Sequence, residues 1–363
     1  MDKKKINEYQ PDYIVSPGEV LEFELDMRGM KQQELAKRTG LTPKHIGALV
    51  NSKSAITPET AIKLERAIGM PAQFWMNLEI RYQELLARAA EEKKLTKDLV
   101  WLKRLPVNVM TQKAWVEKCK SPKDQLIKVL QFFGIASVEQ WDDMWENLQV
   151  AYRQHSRQEI SAEAVSVWLR RGEIEAAAMT CAPFDRSRFR QALDEIRPLT
   201  GANPEVFIPK IQALCAQAGV AVVFVASLPK TAVSGATRWV SPSKALIQLS
   251  LRYKTDDHFW FTFFHEAGHI LLHGKKDFFL EGINGLDSDK EMEANEFAEN
   301  ELIPKKSLNA FLQEHRLTKE NIKKFAQTIN IAPGIVVGQL QHKAMLPMSH
   351  GNDLKQRFHW VTA

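Results

Sequence analysis

The apolar and polar positions of the chain follow three spacings, and each spacing predicts a different kind of element. Over residues 17–70, apolar residues recur at helical intervals in short segments that end at glycines. Over residues 79–199 the spacing stays helical, but the segments are longer and more charged. After Pro204, runs rich in β-branched residues predict strands over 220–225, 235–240 and 245–251.

The prolines and glycines of the first segment mark helix starts and ends, and they predict three short helices. The first begins at Pro17 and ends at Gly29, and the second spans residues 31–39. Thr42, followed by a proline, predicts the N-cap of a third helix that reaches about Val50. A helix, a glycine-containing turn and a second helix form the arrangement that places a helix in the major groove of DNA.

The same segment is locally basic, which predicts a surface that faces phosphates. Its basic residues, set against Glu34 alone, are Lys31, Lys37, Arg38, Lys44 and Lys53. By position, the candidates to reach bases or phosphates are Gln32, Thr42, Lys44 and His45. Gly47 and Ala48 on the third helix offer no long side chain, which argues against strong sequence specificity.

This stretch resembles the XRE-type helix-turn-helix and, more closely, the HigA-like antitoxins. The motifs that carry the resemblance are Pro17-Gly18-Glu19, Gln33-Glu34-Leu35-Ala36, Asn51-Ser52-Lys53, Ile56-Thr57-Pro58-Glu59-Thr60-Ala61 and Phe74-Trp75-Met76-Asn77-Leu78. It covers roughly residues 15–85 and implies binding to duplex operator DNA. A helical bundle used only for protein contact or for homodimer formation is the alternative.

A different pattern occupies residues 259–272, where the chain is apolar almost all round the predicted helix. Such a helix is buried, yet it contains His265, Glu266 and His269. Histidines four apart project from one helical face and can reach one metal ion, while Glu266 at the edge can take a proton from a metal-bound water. A pair of buried, hydrogen-bonded histidines is the alternative interpretation.

A third metal ligand is available a short way downstream. Residues 290–302 predict a second helix, and Glu291 within it would complete the three protein ligands that hydrolytic zinc sites use. Asn295, on the same helical face, is placed to hold the remaining N–H of a ligand histidine. These residues together predict a Zn²⁺ site.

The two motifs resemble the ImmA/IrrE metallopeptidases. The resemblance rests on His265-Glu266-Ala267-Gly268-His269 together with Glu291, Ala294, Asn295, Phe297, Ala298 and Leu302-Ile303-Pro304. In that family the first glutamate of the second motif is a metal ligand, which implies Glu291. Glu293 would point about 200° further round the helix. The family implies cleavage of XRE-type repressors under stress.

His273 continues the histidine ladder by one more four-residue step. His265 and His273 would be separated by about 12 Å of helical rise, too far to share one ion easily. We therefore expect His273 to support the ligands or to lie at the rim of the site. As stabilisers of an oxyanion, the sequence offers His273 and Arg238 only as guesses.

The composition narrows the class of protein. The chain has 363 residues, is 44% hydrophobic and carries a net charge of +5. Its cysteines, Cys119, Cys181 and Cys215, are widely spaced and predict reduced thiols in a cytoplasmic protein. No apolar stretch follows Met1, and the longest apolar run, Val220 to Ala226, is too short to span a bilayer. We expect no membrane association.

The residues between the two motifs carry no recognised signature. Basic residues outnumber acidic ones over 81–130 and alternate with Trp101 and Trp115. Such a stretch can bind single-stranded nucleic acid, but solvated helices over buried tryptophans give the same pattern, and we favour the latter. Near the C-terminus, 317–342 repeats a helix-turn-helix-like pattern that we interpret as structural or substrate-recognising before DNA-binding.

These observations predict a mostly helical α+β protein in three regions. They are a helix-turn-helix domain with its connector helix at 1–94, a helical region at 95–200, and a zincin-like peptidase domain with a small sheet at 201–363. The predicted function is a DNA-binding regulator with zinc endopeptidase activity, which cleaves a repressor or antitoxin in a stress or toxin–antitoxin response. A toxin is a further candidate partner. The rival is a HigA-like antitoxin or transcription repressor whose metal domain only senses.

Overall fold

The computed structural model describes residues 15–145, 161–274, 279–280, 288–314 and 316–360. Over these residues the chain is mostly helical with one four-stranded sheet, which confirms the predicted α+β class. It forms two compact units that divide after Leu99. The three regions predicted from the sequence, with boundaries at 94 and 200, remain a prediction. Within the described residues, no helix combines the length and apolarity needed to span a membrane.

The first unit is built from four short helices and most of a fifth, 31-residue helix that continues past Leu99. They are α1 (Pro17–Met27), α2 (Gln32–Thr39), α3 (Pro43–Val50), α4 (Pro58–Ile68) and α5 (Ala72–Leu102). Ser16 begins α1 with a capping box, and the Thr42 hydroxyl accepts a hydrogen bond from the His45 N–H as the predicted N-cap of α3. Gly40 ends α2 at a φ of +69°, a conformation that glycine adopts without steric cost. The three helices predicted here are therefore confirmed.

A continuous core holds the helices of this unit together. Its fully buried members include Leu21, Leu35, Ile46, Leu64 and Trp75. The helices approach closely at Gly18, where a Cβ atom would lie 2.3 Å from the Val50 carbonyl oxygen. A side chain at that position would force α1 and α3 apart.

The second unit contains ten labelled helices among its described residues. They are α6 (Val107–Gln112), α7 (Pro122–Phe133), α8 (Ala162–Ala178), α9 (Arg186–Ile196), α10 (Pro204–Gln217), α11 (Asp256–Leu272), α12 (Ser288–Leu302), α13 (Lys305–Glu314), α14 (Lys319–Thr328) and α15 (Pro333–His342). Residues 138–145 are also helical. Short 3₁₀ helices occupy Arg197–Gly201 and Asn352–Leu354.

Four strands, in the order β1-β3-β2-β4, form the sheet of this unit. They are β1 (Val220–Phe224), β2 (Gly235–Ser241), β3 (Lys244–Leu249) and β4 (Phe279–Leu280). β1 and β3 are parallel, and β2 runs antiparallel to both of its neighbours. The three predicted strands are confirmed, but the third ends two residues early. Leu251 has a φ of +55°, which is incompatible with an extended strand.

The two faces of the sheet pack against different helices. Val222 and Ile247 share a buried cluster with Trp260 and Phe263 of α11 on one face. On the other face, the Gln248 amide donates to the Trp168 carbonyl of α8 at 2.7 Å. Because strand residues alternate between faces, this packing determines which β2 and β3 side chains can reach α11.

The helix-turn-helix-like pattern near the C-terminus folds into α14 and α15, but α15 is not free to enter a groove. Ile335, Val336 and Leu340 are buried. A Cβ atom on Gly334 would lie 2.4 Å from a carboxylate oxygen of Asp256, at the start of α11. The structural interpretation of this segment therefore fits better than a DNA-binding one.

Two tryptophans of the middle region, Trp101 and Trp141, lie in a core. Trp101 is 3% exposed and Trp141 is fully buried, and their rings meet edge to face at 5.6 Å. Trp115 is only half-buried, with the cationic groups of Lys113 and Arg171 over its ring. For Trp101, burial favours the interpretation of solvated helices over a core.

Candidate metal centre

Three side chains from α11 and α12 converge at one point. His265 and His269 are 2% and 1% exposed, and their Nε2 atoms lie 3.0 Å apart. The Glu291 carboxylate oxygens lie 3.4 Å from the two Nε2 atoms. Ligand atoms of a tetrahedral zinc, bound at about 2.0–2.1 Å, would be separated by about 3.3 Å. The donor set and its spacing therefore fit a zinc ion.

A close helix crossing brings Glu291 to the histidines. Gly268, between the two histidines on α11, faces α12, and a Cβ atom there would lie 3.3 Å from the Ala294 Cα atom and 3.0 Å from the Phe297 ring. A larger residue at Gly268 or Ala294 would widen the crossing. The small residues of both motifs therefore set the distance at which the ligands meet.

The Nδ1 atoms of both histidines face polar partners. His265 Nδ1 lies 3.0 Å from Asn295 Oδ1, and this contact leaves Nε2 directed at the site. His269 Nδ1 lies 2.9 Å from His273 Nδ1, and His273 Nε2 lies 3.1 Å from a carboxylate oxygen of Glu293. Asn295 and His273 thus lie where the sequence predicted support for the ligands, while the sequence offered no such role for Glu293.

Burial keeps His269 in its neutral form. Desolvation, reinforced by His265, His273 and Lys290, lowers the pKa of His269 to about 2. A neutral imidazole keeps a lone pair on one of its two ring nitrogens, and a metal can bind His269 at the site when that nitrogen is Nε2. The electrostatics of the site are therefore those of a ligand set.

Glu266 lies beside the ligands and is completely buried. A Cβ atom on Gly235, the first residue of β2, would lie 2.5 Å from Glu266 Oε1 and 2.6 Å from Thr262 Cγ2. Thr237, two residues further along β2, donates its hydroxyl to the Glu266 carbonyl oxygen at 3.1 Å. The absence of a side chain at Gly235 is what leaves room for the Glu266 carboxylate.

The guess that Arg238 stabilises an oxyanion is wrong on geometry. Gly235 and Thr237 face α11, so the alternation of the strand turns Arg238 to the opposite face of the sheet. There Arg238 forms an ion pair with Glu173 of α8. Burial, with a contribution from Arg170, lowers the pKa of the Arg238 guanidinium to about 10.

Two residues of the site escaped the sequence interpretation for different reasons. Gly235 was recognised only as the start of a strand, and nothing in the sequence links it to Glu266. Glu293 was set aside as a ligand because of its direction on α12, and it is indeed absent from the His265, His269 and Glu291 cluster. Its contact with His273 arises from the helix crossing, which no local pattern encodes.

The candidate DNA contacts lie on α2, α3 and the turn that follows α3. Lys44 and Lys53 are exposed, His45 is half-buried, and the Thr42 hydroxyl accepts a hydrogen bond from the His45 N–H at 3.1 Å. Gln32 lies against α3, with its Oε1 atom 3.5 Å from the point where a Gly47 Cβ would be. Gln32 therefore covers the small position that Gly47 leaves open on α3.

Comparisons with known proteins match both ends of the chain. The helix-turn-helix family model matches residues 22–75. The model of the IrrE N-terminal-like domain, a peptidase family, matches residues 215–337. The second match includes every residue of the candidate metal centre.

Individual relatives match the N-terminal unit. The uncharacterized HTH-type transcriptional regulator YddM of Escherichia coli is 36% identical over 63 residues, 17% of this chain and 67% of that protein. Virulence-associated protein I of Dichelobacter nodosus is 35% identical over 74 residues, 20% of this chain and 68% of that protein. A solved addiction module antidote protein of the HigA family from Coxiella burnetii is 31% identical, covers 23% of this chain and 94% of its own, and has a TM-score of 0.22.

The resemblances predicted from the sequence motifs are thus confirmed at both ends. The N-terminal part of the chain belongs to the XRE-type helix-turn-helix family, and residues 215–337 form an IrrE-like domain.

Proposed function

We propose that this chain is a DNA-binding regulator that hydrolyses peptide bonds at a zinc ion held by His265, His269 and Glu291. The observation that carries the proposal is the meeting of three ligand atoms, all within 4.8 Å of one another, from two helices. Both histidines are buried, and Glu291 is half-buried. Glu266, the residue next to the first ligand, is buried beside them. Buried polar groups cost free energy unless they are satisfied, and a bound cation would satisfy this set.

In this mechanism the chain's own residues have separate roles. His265, His269 and Glu291 would hold the metal, which would lower the pKa of a bound water to about 7 and polarise the scissile carbonyl. Glu266 would accept a proton from the attacking water and deliver it to the leaving amine. Gly235 leaves the space that Glu266 needs, and Asn295 orients His265.

We propose duplex operator DNA as the partner of the first unit. The family match over 22–75 supports this partner, as does a relative named a transcriptional regulator. The exposed Lys44 and Lys53 provide positive charge for phosphates, and Gln32 lies over the recognition helix. The resemblance to the ImmA/IrrE peptidases leads us to propose an XRE-type repressor or antitoxin as the protein substrate. A toxin partner, a homodimer and a cytoplasmic location remain predictions.

The second candidate function is that of an antitoxin-like repressor whose metal domain senses without cleaving. The family match of the first unit to regulators favours it. The two candidates differ in what they require of Glu266, because a sensor needs ligands but no general base. Substitution of that one side chain therefore separates them.

The experiment replaces Glu266 by glutamine, which keeps the size of the side chain and removes the base. The chain is co-expressed with candidate XRE-type repressors and antitoxins, under DNA-damaging stress, and fragments of each partner are followed by blotting. We expect cleavage to fall by about two to four orders of magnitude, with zinc still bound. Glu296→Gln is the control, because Glu296 is exposed on α12 and pairs with Lys305 outside the site. Equal fragment yields from wild type and Glu266→Gln would mean that another protease cuts the partner, and the antitoxin-like function would then replace the peptidase function.

A further inference from the structure

A chain of three polar side chains leads from the metal centre to the protein surface. His269 Nδ1 lies 2.9 Å from His273 Nδ1, and His273 Nε2 lies 3.1 Å from Glu293 Oε2. The His273 side chain is 2% exposed, whereas that of Glu293 is 63% exposed. The outermost member, Glu293, is therefore a solvent-exposed carboxylate within hydrogen-bond distance of the buried His273 ring.

The contact between the two Nδ1 atoms constrains their protons. Two ring nitrogens at hydrogen-bond distance need one donor and one acceptor, so one neutral ring must carry its proton on Nδ1 and the other on Nε2. If His269 carries its proton on Nδ1, its Nε2 lone pair faces His265 and Glu291. If His273 carries the Nδ1 proton instead, the His269 proton moves to Nε2 and blocks the metal.

Glu293 distinguishes between these two arrangements. An ionised carboxylate only accepts hydrogen bonds, so it favours the proton of His273 on Nε2. His273 Nδ1 must then accept from His269, so Glu293 favours the tautomer that directs the His269 Nε2 lone pair at the site over the one in which His269 Nε2 donates to His265 Nε2, 3.0 Å away. The carboxylate therefore acts on the metal centre through one intervening ring.

We propose that Glu293 is a positioning residue, which acts through His273 to hold His269 in the tautomer that binds metal. The inference rests on the proposed function only in taking His269 as a zinc ligand. Contacts that orient a ligand histidine are worth about 10–100-fold in metal affinity. An ordinary exposed ion pair of a carboxylate on α12 would have no such effect on the metal.

The test compares two glutamates on the same helix of the full-length protein. Glu293→Ala removes the carboxylate from His273, and Glu296→Ala is the matched control, because Glu296 is 64% exposed and pairs with Lys305. Glu293→Gln is the conservative variant, since its amide oxygen can still accept from His273 Nε2. Zinc affinity is measured by competition with a chelator, and the histidine tautomers of the metal-free protein are measured by ¹⁵N NMR.

We expect Glu293→Ala to weaken zinc binding about 10–100-fold and to shift His273 towards the tautomer that carries its proton on Nδ1. Glu293→Gln should restore most of both, and Glu296→Ala should match wild type. Equal affinity and an unchanged His273 tautomer in Glu293→Ala would overturn the proposal. Absence of zinc from the wild type would count against the proposed function alone, because the NMR measurement on metal-free protein still decides the role of Glu293.

Discussion

The two units of this protein present their polar residues in opposite ways. In the first unit the candidate functional residues Lys44 and Lys53 are exposed on a small helical bundle. In the second unit His265, Glu266 and His269 are at most 2% exposed inside the packing of α11. A buried polar group must be satisfied within the protein, whereas water satisfies an exposed one. The structure therefore specifies the chemistry of the second unit far more closely than that of the first.

The two units also differ in the residues that surround their candidate functional side chains. Around the metal centre, Gly235, Gly268 and Asn295 are each fitted to a particular neighbour. On the helix-turn-helix surface, Arg38 forms an ion pair with Glu34 of its own helix. This pair is satisfied without any bound ligand. Substitutions should accordingly act sharply in the second unit and gradually in the first.

Among substitutions outside the ligands and Glu266, the largest effect is expected from Gly235→Ala. The added methyl would lie 2.5 Å from Glu266 Oε1, so the carboxylate would have to move. Overpacking should lower the free energy of unfolding by about 1–3 kcal/mol, and the displaced base should slow cleavage about 100-fold. Gly201→Ala is the control, since no atom lies within 4 Å of its added Cβ. If Gly235→Ala and Gly201→Ala have the same free energy of unfolding and the same cleavage rate, the claim that the residues around the buried site are closely fitted is wrong.

An intermediate effect concerns pH and Asp256 at the start of α11. Burial, reinforced by the neighbouring Asp257, raises the pKa of Asp256 from 3.8 to about 7. Between these values the unfolded chain releases a proton that the folded chain keeps, so this group makes folding less favourable as pH rises. Asp256→Asn removes the titration. The difference in the free energy of unfolding, variant minus wild type, should rise from about pH 4 to about pH 7 and stay constant above about pH 7. Urea unfolding across this range measures the difference, and parallel pH profiles would contradict the burial argument.

The smallest effect is expected in the first unit, from Lys44→Ala. If Lys44 contacts one phosphate, its loss should weaken binding of the full-length protein to promoter DNA similarly for all sequences. The slope of log affinity against log salt should fall by about 1. Lys63→Ala is the control, because Lys63 pairs with Glu59 on α4. Absence of duplex binding by wild type at low salt would leave the protein-contact interpretation of this unit.

Much of the fold could be predicted because its signals are local. Thr42 as an N-cap, Gly40 as a helix end and the strand beginning at Gly235 depend only on neighbouring residues. The ligand set could also be proposed, because the His265 and His269 spacing is a property of one helix. Glu291 was identified from its motif, and the structure places it 3.4 Å from both rings.

The rest of the site depends on how elements pack, and the sequence was less informative there. The direction of Arg238 follows from which face of β2 meets α11, and a strand pattern alone does not give that face. Glu293 reaches His273 only because α11 and α12 cross at Gly268. In the middle region, one sequence pattern fits both a nucleic-acid site and a charged surface over a tryptophan core. Only the burial of the tryptophans separates the two, as it does for Trp101.

The central claim is that His265, His269 and Glu291 hold one zinc ion. Elemental analysis of the purified full-length protein tests it most directly, with His265→Ala and Glu291→Ala as the test variants and Glu296→Ala as the control on the same helix. The account predicts about one zinc per chain in wild type and in the control, and none in the two test variants. Zinc retained in full by both test variants, or absent from the wild type, would contradict it.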